Sequence, residues 1–351
     1  MIAVRKIKHF FEITPITKLY SWIFLLILGA VVGYYIGIAV QKERYASFLK
    51  SFRNIREKTE KYNFISPLVG GSSAPATDVG IYSDLRDTLT NYFKEEEKRG
   101  ELYAYSFYFR DLSTGFWFGI NEGDTFSPAS LLKLPIAIAA YKQAENDPSF
   151  LKKQAIYTKE LDAINDAVVA NSESSLVIGR AYSVEDLVKI MLTQSDNGAK
   201  NLLITTLNRG YLDTLFALVS LDDPQTSTTY HISSIEYALF LRMLYGASYL
   251  NEDDSDLLLS YLTESTFGDG LVAGLPKNIS IAHKYGVYQF EDTSNGKALL
   301  VQQLNDCGVI YHAQRPYLVC MMTKGKDLES LYRIYKYVSS TIYNDQEQED
   351  E

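Results

Sequence analysis

A serine and a lysine stand three positions apart at the start of an apolar run, in the stretch Ser-Leu-Leu-Lys of residues 130–133. Residues three apart on a helix are neighbours on one face, so the Lys133 amine can reach the Ser130 hydroxyl. A serine is a weak nucleophile until a base takes its proton, and a desolvated lysine near other cations can act as that base. The same spacing recurs elsewhere in the chain, but only this copy follows a strand-and-turn segment and opens a helix. Free N–H groups at such a helix start can also hold a developing oxyanion.

A second polar element, Ser195-Asp196-Asn197, lies between two predicted helices. Its hydroxyl could relay a proton, and its asparagine amide could hold a substrate carbonyl. By itself this tripeptide is more typical of an Asx-type turn or a helix N-cap, because Ser, Asp and Asn dominate such positions.

A third element, His283-Lys284-Tyr285-Gly286-Val287, ends a predicted strand. A strand-borne lysine can bind a substrate carboxylate as a point charge, and the glycine lets a substrate backbone approach the strand edge. In isolation the segment would be an ordinary strand end.

The order of the predicted elements indicates how these segments are positioned. They are, in chain order, a helix over 82–98, strands over 102–110 and 115–120, a predominantly helical stretch over 130–262, strands over 279–285, 307–311 and 317–322, and a helix over 327–343. Strands at both ends of the domain therefore build one antiparallel sheet with a helical subdomain inserted between them, which is an α+β fold.

Taken together, in this order and context, the three elements resemble the Ser-x-x-Lys, Ser-x-Asn and Lys-Thr/Ser-Gly motifs of the penicillin-recognising serine hydrolases, most closely class A β-lactamases. The surrounding segments FSPASLLKLP, MLTQSDNGAKNLL and CGVIYHAQRPYLVCMMT are similar to that family's nucleophile helix, Ser-Asp-Asn segment and terminal hairpin. The resemblance covers residues 80–343, and it implies a β-lactamase/transpeptidase-like fold.

The resemblance also implies the roles of three catalytic residues. Ser130 would attack the substrate carbonyl, Lys133 would assist as base, and Ser195 would relay a proton to the leaving nitrogen. A Ser-His-Asp triad with His283 or His312 is a weaker alternative, because the chain has no Gly-x-Ser-x-Gly elbow.

The substrate contacts that the resemblance implies include one departure from the family. Asn197 would hold the acyl amide, Lys284 would anchor the substrate carboxylate, and the backbone N–H of Val287 would join that of Ser130 in the oxyanion hole. Gly286 is retained, but Tyr285 stands where the family usually has Thr or Ser, so a phenol on a bulky ring replaces a small hydroxyl.

The second departure concerns the release of the acyl group. Class A enzymes use a glutamate that follows Ser-Asp-Asn to activate water, whereas this chain has no glutamate between Glu185 and Glu236. Asp222 or Asp223 is a candidate substitute base, although acidic residues beside proline are more often turn formers. Efficient hydrolysis of β-lactams is therefore not predicted.

An uncharged run over residues 19–40 predicts a single transmembrane anchor, because it can just cross a hydrocarbon core of about 30 Å. A buried core helix and a cleaved signal peptide are the rival interpretations. The expected organisation is a short cytoplasmic segment (1–18), the anchor, an amphipathic stalk and linker (41–79), the hydrolase domain (80–343) and a solvated acidic tail (344–351). Basic residues flank the anchor on both sides, so an extracytoplasmic domain follows only from the implied substrate.

Composition excludes several functions. A formal charge of −9 and a pI near 5.1 argue against a nucleic-acid partner. Four scattered histidines predict no metal site, and no cofactor is expected.

Cys307 and Cys320 are symmetric about a predicted hairpin turn. A disulfide is one interpretation, and two buried thiols are favoured over it. The oligomeric state is left open.

The sequence thus predicts a single-pass membrane protein that forms an acyl-Ser130 intermediate with β-lactams or with the D-alanyl ends of peptidoglycan stem peptides. The alternative is a catalytically weak cell-wall-binding or β-lactam-sensing module that retains the pocket.

Overall fold

The computed structural model describes residues 23, 25–37, 55–56, 62–66, 68–70, 80–162, 174–222, 224, 230–293, 298–313 and 315–348. The chain divides into two units, Met1–Arg53 and Asn54–Glu351. Helix α1, residues 25–37, is the described part of the first unit together with Ile23. Within the ranges given, no helix combines the length and apolarity needed to cross a bilayer. Both ends of the predicted anchor over 19–40 lie outside the described residues, so the anchor stays a prediction.

The strands are, in chain order, β1 (Ile55–Arg56), β2 (Leu68–Gly70), β3 (Leu102–Asp111), β4 (Trp117–Ile120), β5 (Thr125–Phe126), β6 (Gln154–Ile156), β7 (Ala181–Ser183), β8 (Ile232–Ser233), β9 (Ile281–Asp292), β10 (Leu299–Ile310) and β11 (Tyr317–Gly325). Five of them form an antiparallel sheet in the order β4-β3-β11-β10-β9, so strands from both ends of the domain pair as predicted. Strand β9 is one edge of this sheet.

The other helices are α2 (Ser83–Lys98), α3 (Lys133–Asn146), α4 (Lys159–Asp162), α5 (Val184–Thr193), α6 (Asn197–Thr206), α7 (Arg209–Leu218), α8 (Ser234–Tyr245), α9 (Glu252–Thr263) and α10 (Leu328–Gln348), with 3₁₀ turns at Ala129–Leu132, Phe150–Lys152 and Gly270–Gly274. Helix α8 contacts β3, β10 and β11, while α2 and α10 also contact the sheet. Strands β3, β10 and β11 are buried along most of their length, because helices cover the sheet. This layout confirms the predicted α+β class.

Strands β9 and β10 run further than the sequence predicted. Their ends form a hairpin in which exposed Gln289 and Glu291 alternate with partly buried residues. Apolar runs mark only the fully buried part of a strand, so the prediction stopped where burial declines.

The nucleophile segment begins with a 3₁₀ turn rather than with an α-helix. Ser130 lies in the turn Ala129–Leu132, and α3 starts at Lys133. Ala129 has φ +48°, in the left-handed region that a turn into a helix can require. Apolar residues then surround α3, which makes it a central buried helix.

Cys307 and Cys320 form a disulfide, so the favoured interpretation of two buried thiols was wrong. The two residues are direct partners across β10 and β11, with Cα atoms 3.9 Å apart. Such a short separation belongs to the close type of antiparallel pair, which brings the two sulfur atoms within bonding reach.

Two predicted boundaries also differ. Residues 62–66, expected in the linker, pack on the domain: Ile65 is buried and Ser66 N–H donates to Tyr245 O at 2.8 Å. The expected solvated tail begins as a continuation of α10, in which Gln346 is buried and Glu347 contacts His312 at 2.8 Å. In both segments, tertiary contacts available only in the folded domain override the local polar composition.

Candidate active site

The Lys133 side chain is the centre of a buried polar cluster. Its Nζ lies 2.9 Å from Ser130 Oγ, 2.6 Å from Asn197 Oδ1 and 3.3 Å from Ser195 Oγ, and it also donates to the Ser195 carbonyl. Lys133 is almost completely buried. The fold therefore brings the first two sequence elements into direct contact around one amine.

The turn that carries Ser130 is held from two sides. The side-chain amides of Gln303 and Asn305 on β10 donate to Ser127 O at 2.6 and 2.9 Å. Tyr237 Oη on α8 donates to Leu131 O at 3.1 Å. These bonds fix the nucleophile turn against the sheet on one side and against α8 on the other.

Gly286 places the edge of β9 directly against this turn. A Cβ at Gly286 would lie 2.9 Å from the Ser130 amide nitrogen and 3.0 Å from Pro128 O. The sequence assigned this glycine to the approach of a substrate backbone. The structure shows that the protein's own nucleophile turn occupies that space, because only a residue without Cβ leaves room for it.

The loop between α5 and α6 presents Ser195 and Asn197 to Lys133 and uses Asp196 differently. Ser195 has φ +57°, and Asp196 is the N-cap of α6, accepting from Ala199 N–H at 2.8 Å. Asp196 also accepts from Ser175 N–H at 2.6 Å. The capping alternative weighed for this tripeptide thus applies to Asp196 and leaves its two neighbours to face the site.

Lys284 approaches Ser195 from the opposite side. Its Nζ donates to Ser195 Oγ at 2.8 Å and to Tyr285 O at 3.0 Å. Complete burial, followed by the positive charge of Lys133, holds the pKa of Lys284 well below its ordinary value, and Asp306 acts in the opposite direction. Ser195 Oγ therefore lies between two amines, and the positive charge of Lys133 disfavours the charged form of Lys284.

Tyr285 belongs to an aromatic stack at this site. Its ring lies parallel to that of Phe267, with centroids 3.9 Å apart, and Lys284 Nζ is 4.4 Å from the Tyr285 ring centroid. Burial raises the pKa of Tyr285, so its phenol stays a hydrogen-bond donor at neutral pH. The loop bearing Phe267 is tied to the end of α5, because Thr266 N–H donates to Thr193 O at 2.9 Å. No sequence signal had indicated Phe267.

Both histidines proposed for a triad are engaged elsewhere. His283 Nδ1 lies 2.9 Å from Asp306 Oδ1, whose second oxygen accepts from Leu271 N–H at 2.9 Å. His312 pairs with Glu347. The buried His283–Asp306 pair joins β9 to β10 and anchors the 3₁₀ turn Gly270–Gly274 through Leu271 N–H, and it too was missed at the sequence level.

Of the two candidate deacylation bases, the structure describes only Asp222, and it gives that residue no contact with the cluster. Asp222 follows α7 and is exposed, and Asp223 lies outside the described residues. Val287 pairs with Leu304 on β10, one residue beyond the Gly286 contact with the nucleophile turn. Across the described segments, no group of His, Cys, Asp and Glu could hold a metal ion.

Comparison with known proteins gives consistent matches. The model of the Beta-lactamase2 family, described as a beta-lactamase enzyme family, matches residues 84–346. A β-lactamase of Streptomyces albus G is 23% identical over 263 residues, 70% of this chain and 79% of that protein.

Solved structures share the fold. A mutant of PBP-A, determined as an acyl-enzyme complex with penicillin G, has a TM-score of 0.62 and 22% identity over 76% of this chain and 97% of its own. A β-lactamase from Xanthomonas campestris has a TM-score of 0.59 and 20% identity over 73% of this chain and 96% of its own.

Proposed function

The chain belongs to the beta-lactamase enzyme family and is a serine hydrolase, and from this premise we propose that it opens β-lactams or the D-alanyl ends of peptidoglycan stem peptides through an acyl-Ser130 intermediate. The observation that carries the proposal is the 2.9 Å contact between Ser130 Oγ and Lys133 Nζ inside a buried cluster. A serine adjacent to a desolvated amine is the arrangement that activates a hydroxyl nucleophile.

In the acylation step, neutral Lys133 accepts the Ser130 proton while Oγ forms a bond to the substrate carbonyl carbon. The carbonyl oxygen becomes an oxyanion, and the backbone N–H groups of Ser130 and Val287 are the proposed donors to it. The Gly286 contact supports this pairing, because a Cβ at that position would lie only 2.9 Å from the Ser130 nitrogen, so the edge of β9 lies directly against the nucleophile turn.

Collapse of the tetrahedral intermediate breaks the C–N bond, and the leaving nitrogen takes a proton from the Ser195 hydroxyl. Ser195 recovers a proton from Lys133, whose Nζ is 3.3 Å away and holds the one taken from Ser130. Asn197 accepts from Lys133 through Oδ1, so its amide nitrogen is the group that can donate to the carbonyl of the substrate's acyl amide, away from the reacting carbonyl.

Substrate carboxylates would be bound by Lys284 and the Tyr285 phenol. A carboxylate beside Lys284 favours its charged form and offsets the lowering of its pKa by burial. The neutral phenol donates a hydrogen bond without adding charge.

Deacylation is the step for which no catalytic base has been identified among the described residues. It has no glutamate between residues 185 and 236, and Asp222 is exposed. This observation favours the second candidate function, a catalytically weak module that binds the cell wall or senses β-lactams. In such a module the acyl-enzyme persists, because no positioned base activates water.

We further propose that the domain lies outside the cytoplasmic membrane, anchored by residues 19–40. The Cys307–Cys320 disulfide supports this location, because disulfides persist in oxidising compartments.

Intact-protein mass spectrometry of the full chain in detergent, over a time course with benzylpenicillin, tests the proposal. An adduct is expected on Ser130 in the wild type and in Ser149→Ala, and none in Ser130→Ala; Ser149 is the matched control because Lys152 follows it at the same spacing. Decay of the adduct indicates a hydrolase, whereas a stable adduct indicates the sensing module. No adduct, or one that survives Ser130→Ala, would refute the proposal.

A further inference from the structure

A cleft of about 370 Å³ opens between helix α8 and the β3–β4 side of the sheet. Tyr108 and Arg110 of β3 and Trp117 of β4 line one wall, and α8 lines the other. Its volume falls within the range of about 300–1,000 Å³ that is typical of small-molecule sites. Strand β4 is at the opposite edge of the sheet from β9, so this cleft is separate from the Ser130 cluster.

The sheet wall combines aromatic rings with a positive charge. The Tyr108 and Trp117 rings lie 5.5 Å apart, and the Arg110 guanidinium donates to Tyr108 Oη at 3.4 Å. Among the residues that the structure describes, no carboxylate pairs with Arg110. Arg110 is partly buried, and the guanidinium carries five N–H donors, so donors beyond the one used by Tyr108 can bind an external acceptor.

The helix wall supplies a second arginine and an apolar surface. Ile235, Leu239 and Arg242 recur at helical spacing along one face of α8. Glu236, the one acidic residue of the cleft lining, is committed to the capping box of α8, where its carboxylate accepts from Ser233 N–H and Oγ–H at 2.8 Å. Two guanidinium groups therefore meet an aromatic and aliphatic surface within one cleft.

We propose that this cleft binds a small amphipathic oxyanion, a carboxylate or phosphate group joined to a flat apolar body. Guanidinium groups bind planar oxyanions with paired hydrogen bonds, and the Tyr108–Trp117 rings offer the surface on which the apolar body packs. The proposal does not depend on acylation of Ser130.

Tryptophan fluorescence gives a direct test, because the chain has two tryptophans and Trp22→Phe leaves Trp117 in the cleft as the only one. Full-length Trp22→Phe protein would be titrated with benzoate, phenyl phosphate, inorganic phosphate and benzamide. Benzoate or phenyl phosphate is expected to give a saturable change. Benzamide, the uncharged analogue, and phosphate, which lacks the ring, should bind about tenfold more weakly or worse.

Substitutions in the same background locate the site. Arg110→Gln and Arg242→Gln should each weaken binding about tenfold, and Arg110→Lys should weaken it less, because it keeps the charge but not the planar fork. Arg209→Gln, in an exposed pair with Asp213, is the control and should leave binding unchanged. Failure of both oxyanions to saturate, equal binding of benzamide, or insensitivity to the cleft arginines would overturn the proposal. If Arg110→Gln fails to fold, the binding affinities of Arg110→Lys and Arg242→Gln test whether the cleft arginines bind the oxyanion. Ser130 acylation, measured separately, should be unaffected in all of them.

Discussion

Replacing Gly286 by alanine should impair acylation far more than it impairs folding. The new methyl carbon would lie 2.9 Å from the Ser130 amide nitrogen, where ordinary van der Waals contact begins at 3.4 Å. The strand edge and the nucleophile turn must therefore separate by about 0.5 Å, the difference of those two distances. The atoms that the new methyl group would meet belong to the backbone, and the turn is held by Gln303 and Asn305. Moving either the strand or the turn therefore costs free energy.

The size of the effect follows from the group that moves. The Ser130 N–H is a proposed oxyanion donor, and loss of one such donor costs about 10²–10³ in rate. Partial displacement should cost about 10²-fold in the rate of acylation, equivalent to about 2.7 kcal/mol of transition-state stabilisation. Overpacking of this kind destabilises a fold by about 1–3 kcal/mol, which a domain of this size tolerates.

The assay is the rate of acyl-enzyme formation with benzylpenicillin, followed by mass spectrometry, beside thermal unfolding. Gly325→Ala is the matched control, because its Cβ would meet Glu101 O at 2.5 Å at the far end of β11. That variant should lose stability while its folded fraction acylates at the wild-type rate. Wild-type acylation in Gly286→Ala, or equal losses in both variants, would refute the reasoning.

Four other outcomes are expected. Lys133→Met should slow acylation by about 10²–10⁴-fold with the fold retained by circular dichroism, since it removes the general base; an unchanged rate would exclude that role. Because the pKa of Lys284 is depressed, its charge is lost at a lower pH than that of an exposed lysine. Acylation by benzylpenicillin should accordingly decline as pH rises through that range, and acylation by its methyl ester should not share this decline; parallel profiles would contradict carboxylate binding by Lys284. Asp222→Asn should leave deacylation unchanged, because the side chain is exposed, and accumulation of acyl-enzyme in that variant would instead identify it as the base. Ile65→Ala should lower the free energy of unfolding by about 2 kcal/mol in a denaturant titration, while Ile204→Ala at an exposed position should change it by less than about 0.5 kcal/mol; equal effects would mean that residues 62–66 do not contribute to the core.

The α+β fold and the position of the nucleophile segment between a strand and a helix could be predicted from the sequence. Hydrophobic periodicity and turn residues are local features that can be read over a few positions. Predictions were weaker where burial was incomplete, as in the outer parts of β9 and β10. They were wrong for the cysteines, because a symmetric position about a turn does not reveal how closely two strands approach. The packing of residues 62–66 on the domain was equally hidden, since a short polar segment has no periodicity to read.

Sequence alone determined which chemical groups this protein has: a serine and a lysine at helical spacing, a Ser-Asp-Asn loop, a strand lysine, and no glutamate after that loop. Tertiary structure decided which of them meet. Lys133 and Lys284 are 151 positions apart, yet both reach Ser195 Oγ, because the inserted helical block returns the chain to the edge of one sheet. It also decided the stacking of Phe267 on Tyr285, the burial of the His283–Asp306 pair and the arginine-lined cleft at the other edge. Such contacts depend on packing between distant segments, where the free energy of burial, and not the local order of residues, selects the partners.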